Sequence, residues 1–160
     1  MKSTLIVYSS TDGQTKKICS RIQDCLGNDF YSNIMPIKEV TEDDLKKFDR
    51  IIIGASIRYG KHKKELFNFI DSNLVELEKK DNAFFSVNVV ARKAEKSTAE
   101  TNPYVQKFLL KTAWVPKNLA VFAGKIDYPK YNLIDKYMIR FIMWITKGPT
   151  DTKNTYEFTD

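Results

Sequence analysis

The sequence is poor in the groups that usually hold metal ions. Among 160 residues there are two cysteines, Cys19 and Cys25, and a single histidine, His62. Neither cysteine belongs to a Cys-x-x-Cys pair, which excludes the usual zinc and iron–sulfur arrangements. Both fall within one helical pattern, a spacing unsuited to a mutual disulfide. They read as reduced, mostly buried thiols of a cytosolic protein, and no metal is expected. No run of about 18 apolar residues occurs, so no membrane-spanning helix is expected. Met1-Lys2-Ser3-Thr4 runs straight into a strand pattern, so no signal peptide is expected either. Repeats, low-complexity tracts and linkers are also missing, and residues 1–160 are expected to form one domain.

Hydrophobic residues make up 42% and charged residues 29% of the chain, the balance of a soluble globular protein. The formal charge of +6 leaves two readings open: an anionic partner (nucleic acid, lipid surface or acidic small molecule) or a solvated lysine-rich surface.

Leu5-Ile6-Val7-Tyr8 is a β-rich run, and Ser9 to Gly13 after it is rich in turn-forming residues. Ile18, Ile22, Cys25 and Leu26 recur at helical spacing. Phe30 to Ile37 reads as a second strand. Thr41, with Asp44 at the third helical position, reads as a capping box. Arg50 to Gly54 and Ala83 to Val90 are continuous apolar runs, the pattern of strands covered on both faces. Between them lies a helix carrying Leu66, Phe67, Phe69, Ile70 and Leu74. Asn102-Pro103 caps a helix with Tyr104, Val105, Phe108 and Leu109, and Leu119 to Ala123 is a fifth strand. Strands alternating with helices imply an α/β fold, a parallel sheet with right-handed crossovers. Such sheets bind ligands beyond the carboxyl ends of their strands.

Three loops at those ends are therefore candidates. Ser9-Ser10-Thr11-Asp12-Gly13-Gln14-Thr15 opens a helix, and its hydroxyls and backbone N–H groups suit a phosphate. It lacks both the Walker lysine and the Gly-x-Gly-x-x-Gly of dinucleotide sites. Ala55-Ser56-Ile57-Arg58-Tyr59-Gly60 is read as a loop after the third strand, with Tyr59 able to stack on a flat ring beside the Arg58 charge. Ser86-Val87-Asn88-Val89, with Ala91, Arg92 and Lys93, follows at the end of the fourth long strand. There the polar Asn88 needs a hydrogen-bond partner, from a ligand or from backbone. His62, a lone histidine among lysines, reads as a surface residue.

The first loop resembles the phosphate loop of flavodoxins, Thr/Ser-x-Thr-Gly-x-Thr: Ser10, Gly13 and Thr15 match it, and Asp12 stands where threonine is usual. More narrowly, Ile53 to Gly60 and Ser86 to Lys93 are similar to menaquinone-dependent protoporphyrinogen IX dehydrogenases, bacterial FMN enzymes of haem synthesis. Thr101-Asn102, Lys107-Phe108-Leu109, Tyr128-Pro129 and Thr150-Asp151-Thr152 continue the likeness. It implies a flavodoxin-like five-stranded parallel sheet with helices on both faces. It also implies FMN on the three loops, a tetrapyrrole substrate, menaquinone or a similar quinone as acceptor, and no nucleic acid. A peripheral place on the inner face of the cell membrane is implied too. Arg58, Lys61, Arg92 and Lys93 are candidate cations for the substrate's propionates. The catalytic group is the flavin itself, and no protein base stands out.

Residues 128–150 read as an insertion after strand five. Within it Ile134, Tyr137, Met138, Phe141, Ile142 and Ile145 form an apolar helical stripe widened by Trp144. That stripe suits a packed helix, a membrane surface, a substrate roof or a partner. Flavodoxin-like proteins end in a helix, whereas here the strand-like Tyr156 to Thr159 is followed only by Asp160. The expectation is therefore that the inserted helix or a second copy covers one sheet face, or that the protein is truncated. Two further readings stay open: an electron-carrier flavodoxin, and a non-catalytic interaction domain of the same fold.

Overall fold

The computed structural model describes residues 3–10, 13–27, 31–58, 60–88, 91, 94–123, 125–127 and 155–157. Strand β1 is Ser3–Ser9, followed by helix α1, Gln14–Leu26, and strand β2, Tyr31–Pro36. Helix α2, Glu42–Lys47, opens on the expected capping box, with Asp44 N donating to Thr41 Oγ1 and Thr41 N donating to Asp44 Oδ2. Next come β3, Arg50–Arg58, the two-residue β4, Lys61–His62, and α3, Lys64–Lys79. Strand β5 is Asp81–Asn88, α4 is Pro103–Lys111 and β6 is Leu119–Ala123. Two short strands, β7 (Lys125–Asp127) and β8 (Thr155–Glu157), pair antiparallel with each other.

The main sheet runs β2-β1-β3-β5-β6, all parallel, with β4 added antiparallel to the end of β3. Strand order reverses at β1, so chain ends from β1, β3 and β5 converge on one rim. Period-two alternation sends Leu5, Val7, Ile51, Ile53 and Phe84 to one face, under Leu45, Leu66, Ile70 and Phe108 of α2, α3 and α4. Ile6, Phe85 and Val87 point the other way, toward Ile18 and Cys19 of α1. Helices thus lie on both faces, as the resemblance implies. Gly54 permits this packing, because a Cβ there would lie inside the Phe85 ring. Helix α3 bends at Asn73, whose side chain donates to Phe69 O at 2.8 Å and competes with the helical ladder.

Three expectations are corrected. Ala55 to Arg58 are not loop: β3 continues through them, and Gly60, at φ 74°, turns the chain back into β4. Continuous pairing of Ala55 with Ser9 and Ser86, and of Ser56 with Val87, holds that stretch in the sheet. Cys25 is exposed rather than buried, since its position on α1 falls outside the stripe led by Ile18 and Cys19. His62 is buried rather than on the surface, because β4 turns it inward while Lys61 beside it stays exposed. The inserted segment, with Tyr137, Phe141, Ile142, Trp144 and Ile145, lies outside the described residues.

Candidate functional site

The first turn of a helix leaves backbone N–H groups without intrahelical partners. At α2 and α4 side chains of Thr41 and Asn102 fill that role. At α1 there is no side-chain cap and no acidic residue in the first turn, and the N-cap is Gly13 in the left-handed region at φ 88°. Ser10 Oγ accepts from Gly13 N at 3.0 Å and shapes the turn. Thr15, fully buried in that first turn, has an Oγ1 with no hydrogen-bond partner. An uncapped helix start beside an orphaned hydroxyl fits a phosphate, which would accept from both. Gln14 is buried beside it. The loop is braced from α3: Ser9 Oγ donates to Glu65 Oε1 at 2.8 Å and Lys63 Nζ to Ser10 O at 3.1 Å. Thr11 and Asp12 lie outside the described residues.

Along the rim, Ala55 and Ser56 are buried and Ile57 and Gly60 half-buried. Ser56 Oγ reaches Ser9 O at 3.5 Å, joining the ends of β1 and β3. Backbone, but not side chain, is described at Arg58, and Tyr59, Val89, Arg92 and Lys93 lie outside the described residues.

Ser86 and Asn88 turn inward. Asn88 Nδ2 donates to Ser86 Oγ at 3.1 Å and to Asn102 Oδ1 at 3.2 Å, and Asn102 Nδ2 donates back to Asn88 Oδ1 at 2.9 Å. Backbone N–H groups fix both amides: Ala91 N donates to Asn88 Oδ1, and Tyr104 N and Val105 N donate to Asn102 Oδ1. Ser86 Oγ lies 2.9 Å from His62 Nε2. With Asn88 donating into one lone pair, the hydroxyl keeps a proton and a second lone pair for that contact and so serves either tautomer of the ring. Burial, aided by the charge of Lys111, pushes the His62 pKa down to about 4, so the ring is neutral near pH 7. Edge-on contacts with Phe84 and Phe108 at 5.7 and 5.8 Å complete its surroundings. Asn88 thus needs no ligand to satisfy it, and Val87 packs on the α1 face.

Sequence reasoning named the α1 loop and the β3 and β5 ends as candidates, but missed the burial of His62 and the paired role of Asn102. The signal for His62 was present as the strand alternation Lys61-His62-Lys63, hidden by its basic neighbours. Among the described residues no cluster of three His, Cys, Asp or Glu side chains is placed to hold a metal, and no helix is long and apolar enough to cross a membrane.

A model of the flavodoxin domain family matches residues 5–153. A protein of Escherichia coli called protoporphyrinogen IX dehydrogenase (quinone) is 39% identical over 158 residues, 98% of this chain and 87% of that one. A protein of the same description from Leishmania major is 40% identical over 158 residues, 98% of this chain and 68% of its own. Among solved structures, a flavodoxin from the domain Archaea superposes with a TM-score of 0.54 at 20% identity, over 95% of this chain and 99% of that one. An oxidised flavodoxin of Bacillus cereus gives 0.53 at 17% identity, over 91% and 98%. The two structural likenesses speak to fold alone.

Proposed function

Because the chain belongs to the flavodoxin domain family, and within it to that of the protoporphyrinogen IX dehydrogenases (quinone), we propose that it binds FMN and oxidises protoporphyrinogen IX, with menaquinone or a similar quinone as acceptor, in haem biosynthesis. The observation that carries this reading is identity of 39–40% extending over 98% of the chain, flavin rim and inserted segment included.

Bound FMN would supply reversible two-electron chemistry. The chain's own residues bind and orient it. Ser10, Gly13, Gln14 and Thr15, with Thr11 and Asp12, are assigned to the phosphate. Lys63 and Glu65 hold that loop still through Ser10 and Ser9. Ala55 to Gly60 and Ser86 to Arg92 are assigned to the ring, with β3 and β5 paired through Ser56 and Val87 as a rigid floor. The Asn88–Asn102 pair locks the end of β5 to the start of α4, so neither edge of the ring site can drift independently. Conversion of protoporphyrinogen to protoporphyrin removes six electrons and six protons, hence three two-electron turns at the same site.

The apolar stripe of Tyr137, Phe141, Ile142, Trp144 and Ile145 supports a peripheral membrane contact from the cytoplasmic side, where a lipid-soluble quinone is met. A homo-oligomer belongs to the same proposal, since a second copy is one way to cover apolar surface.

The test is anaerobic mixing of FMN-loaded protein, protoporphyrinogen IX and a menaquinone analogue. Fluorescent porphyrin should form far faster than without protein. Flavin bands with no acceleration would replace this reading with that of an electron carrier, and absence of flavin bands after FMN addition would remove both.

A further inference from the structure

Beside the β3–β4 turn, between α3 and α4, lies a shallow cleft in which only Gly60 and Lys61 have so far been given a role. Lys61, His62, Phe67, Tyr104, Lys107 and Lys111 line it. Lys107 and Lys111 are four apart on one helix, so their ammonium groups repel each other across the cleft. Among the described residues no carboxylate pairs with Lys61, Lys107 or Lys111, although five other lysines have such a partner. Two of the three cations rest instead over aromatic rings, Lys107 at 5.9 Å from the Tyr104 centroid and Lys111 at 5.7 Å from that of Phe67.

His62 lines the cleft as well: it is only 6% exposed, and its Nε2 is engaged by Ser86 Oγ. Three ammonium groups with no carboxylate partner among the described residues, set around an aromatic floor, suit an anion on an apolar body, not a freely hydrated ion.

We propose that this cleft is a carboxylate seat, in which Lys61, Lys107 and Lys111 take one propionate of the tetrapyrrole beside the His62 ring while Phe67 and Tyr104 meet its apolar edge. The assignment rests on the substrate reading above and deepens it. Gly60 both lines the cleft and follows the β3 strand end assigned to the flavin, which places the two sites side by side along the chain. The titratable groups that line the cleft with His62 are Lys61 on β4 and Tyr104, Lys107 and Lys111 on α4, of which Lys111 acts on the ring by its charge. Helix α3 and strand β5 present Phe67, Phe84 and Ser86 to it.

His62 is the sole histidine, so its Cε1–H resonance in proton NMR reports on this cleft alone. The FMN-loaded full chain is titrated with protoporphyrin IX and, separately, with its dimethyl ester. The diacid is expected to bind about tenfold more tightly than the ester, the worth of one charge-assisted contact, and to raise the His62 pKa above about 4. A Lys107→Gln/Lys111→Gln variant should lose that preference and show about a tenfold higher KM for protoporphyrinogen. Its flavin spectrum should stay the same. Equal effects of diacid and ester, or a preference that survives the double variant, would overturn the seat. A His62 shift produced by phosphatidylglycerol vesicles and not by the diacid would overturn it in favour of a lipid contact. Wild-type protein that oxidises protoporphyrinogen yet shows no carboxylate preference sinks this inference alone. Wild-type protein that does not oxidise it sinks the substrate reading.

Discussion

On one face of the sheet α2, α3 and α4 lie over Leu5, Val7, Ile51, Ile53 and Phe84, while on the other α1 alone among the described helices meets Ile6, Phe85 and Val87. The fuller face also carries the polar material: His62, Ser86, Asn88 and Asn102 are all buried there in one hydrogen-bonded chain. Thick cover is what makes that possible. A buried amide or imidazole is tolerated only where partners are fixed and water is excluded, and stacked Phe84 and Phe108, 3.9 Å apart, with Trp114 edge-on to both, provide the surrounding wall. The centre of the thinner face, Ile6, Ile18, Cys19, Phe85 and Val87, is built from apolar contact, with Gly54 cut back so that Phe85 can lie against the strand.

The largest effect should come from opening the fuller wall. Phe108→Ala removes a side chain that touches His62, Phe67, Phe84 and Trp114 and should lower stability by ~3–5 kcal/mol in urea unfolding. Ile18→Ala on the α1 face should lose about 2 kcal/mol, near the bottom of the range for such truncations. Equal losses would mean that the two faces do not differ as described.

A smaller effect concerns the imidazole. Unfolded, His62 takes its proton near pH 6.5; folded, only near pH 4. Between those values the unfolded state binds more protons, so stability rises with pH there and is lost as pH falls. The loss from this group should be about 2 kcal/mol at pH 5. In His62→Gln that part of the slope between pH 6.5 and 4 should vanish, while the acid lability due to Asp44, held low by its hydrogen bonds to Thr41, should persist. An unchanged slope would show that the ring is solvated.

The smallest test asks whether the thinner face is nonetheless dry. Burial pushes the Cys19 thiol up to about 12, whereas Cys25 is exposed. A thiol reagent at pH 8 should therefore modify one equivalent in native protein and a second only on unfolding. Two fast equivalents would mean that α1 does not seal its side.

What was legible in the sequence was whatever is decided locally or by periodicity. The succession of the five parallel strands along the chain, the Thr41–Asp44 box and the Asn102 cap all follow from neighbouring residues. The continuation of β3 past Gly54 did not, because a glycine normally marks a strand end. Here it answers to Phe85, which sits two strands of sequence away. His62 and its partners were illegible for a similar reason: Ser86, Asn88 and Asn102 meet only once α4 has docked on β5. The turn that opens α1 was legible because its signal, hydroxyls and glycine before a helix, is contiguous.

The β7–β8 ribbon has an engineering consequence. It sets Lys125 opposite Glu157 and Asp127 opposite Thr155, so the chain that leaves for residues 128–154 returns to its point of departure. The two ends are joined by backbone pairing outside the main sheet, and the free energy of closing a longer flexible excursion grows by only about 0.6 kcal/mol per doubling. The ribbon is therefore a natural splice point. Segments of other lengths and compositions can be grafted between its strands, and their effects on activity and solution behaviour read against an unaltered flavodoxin frame.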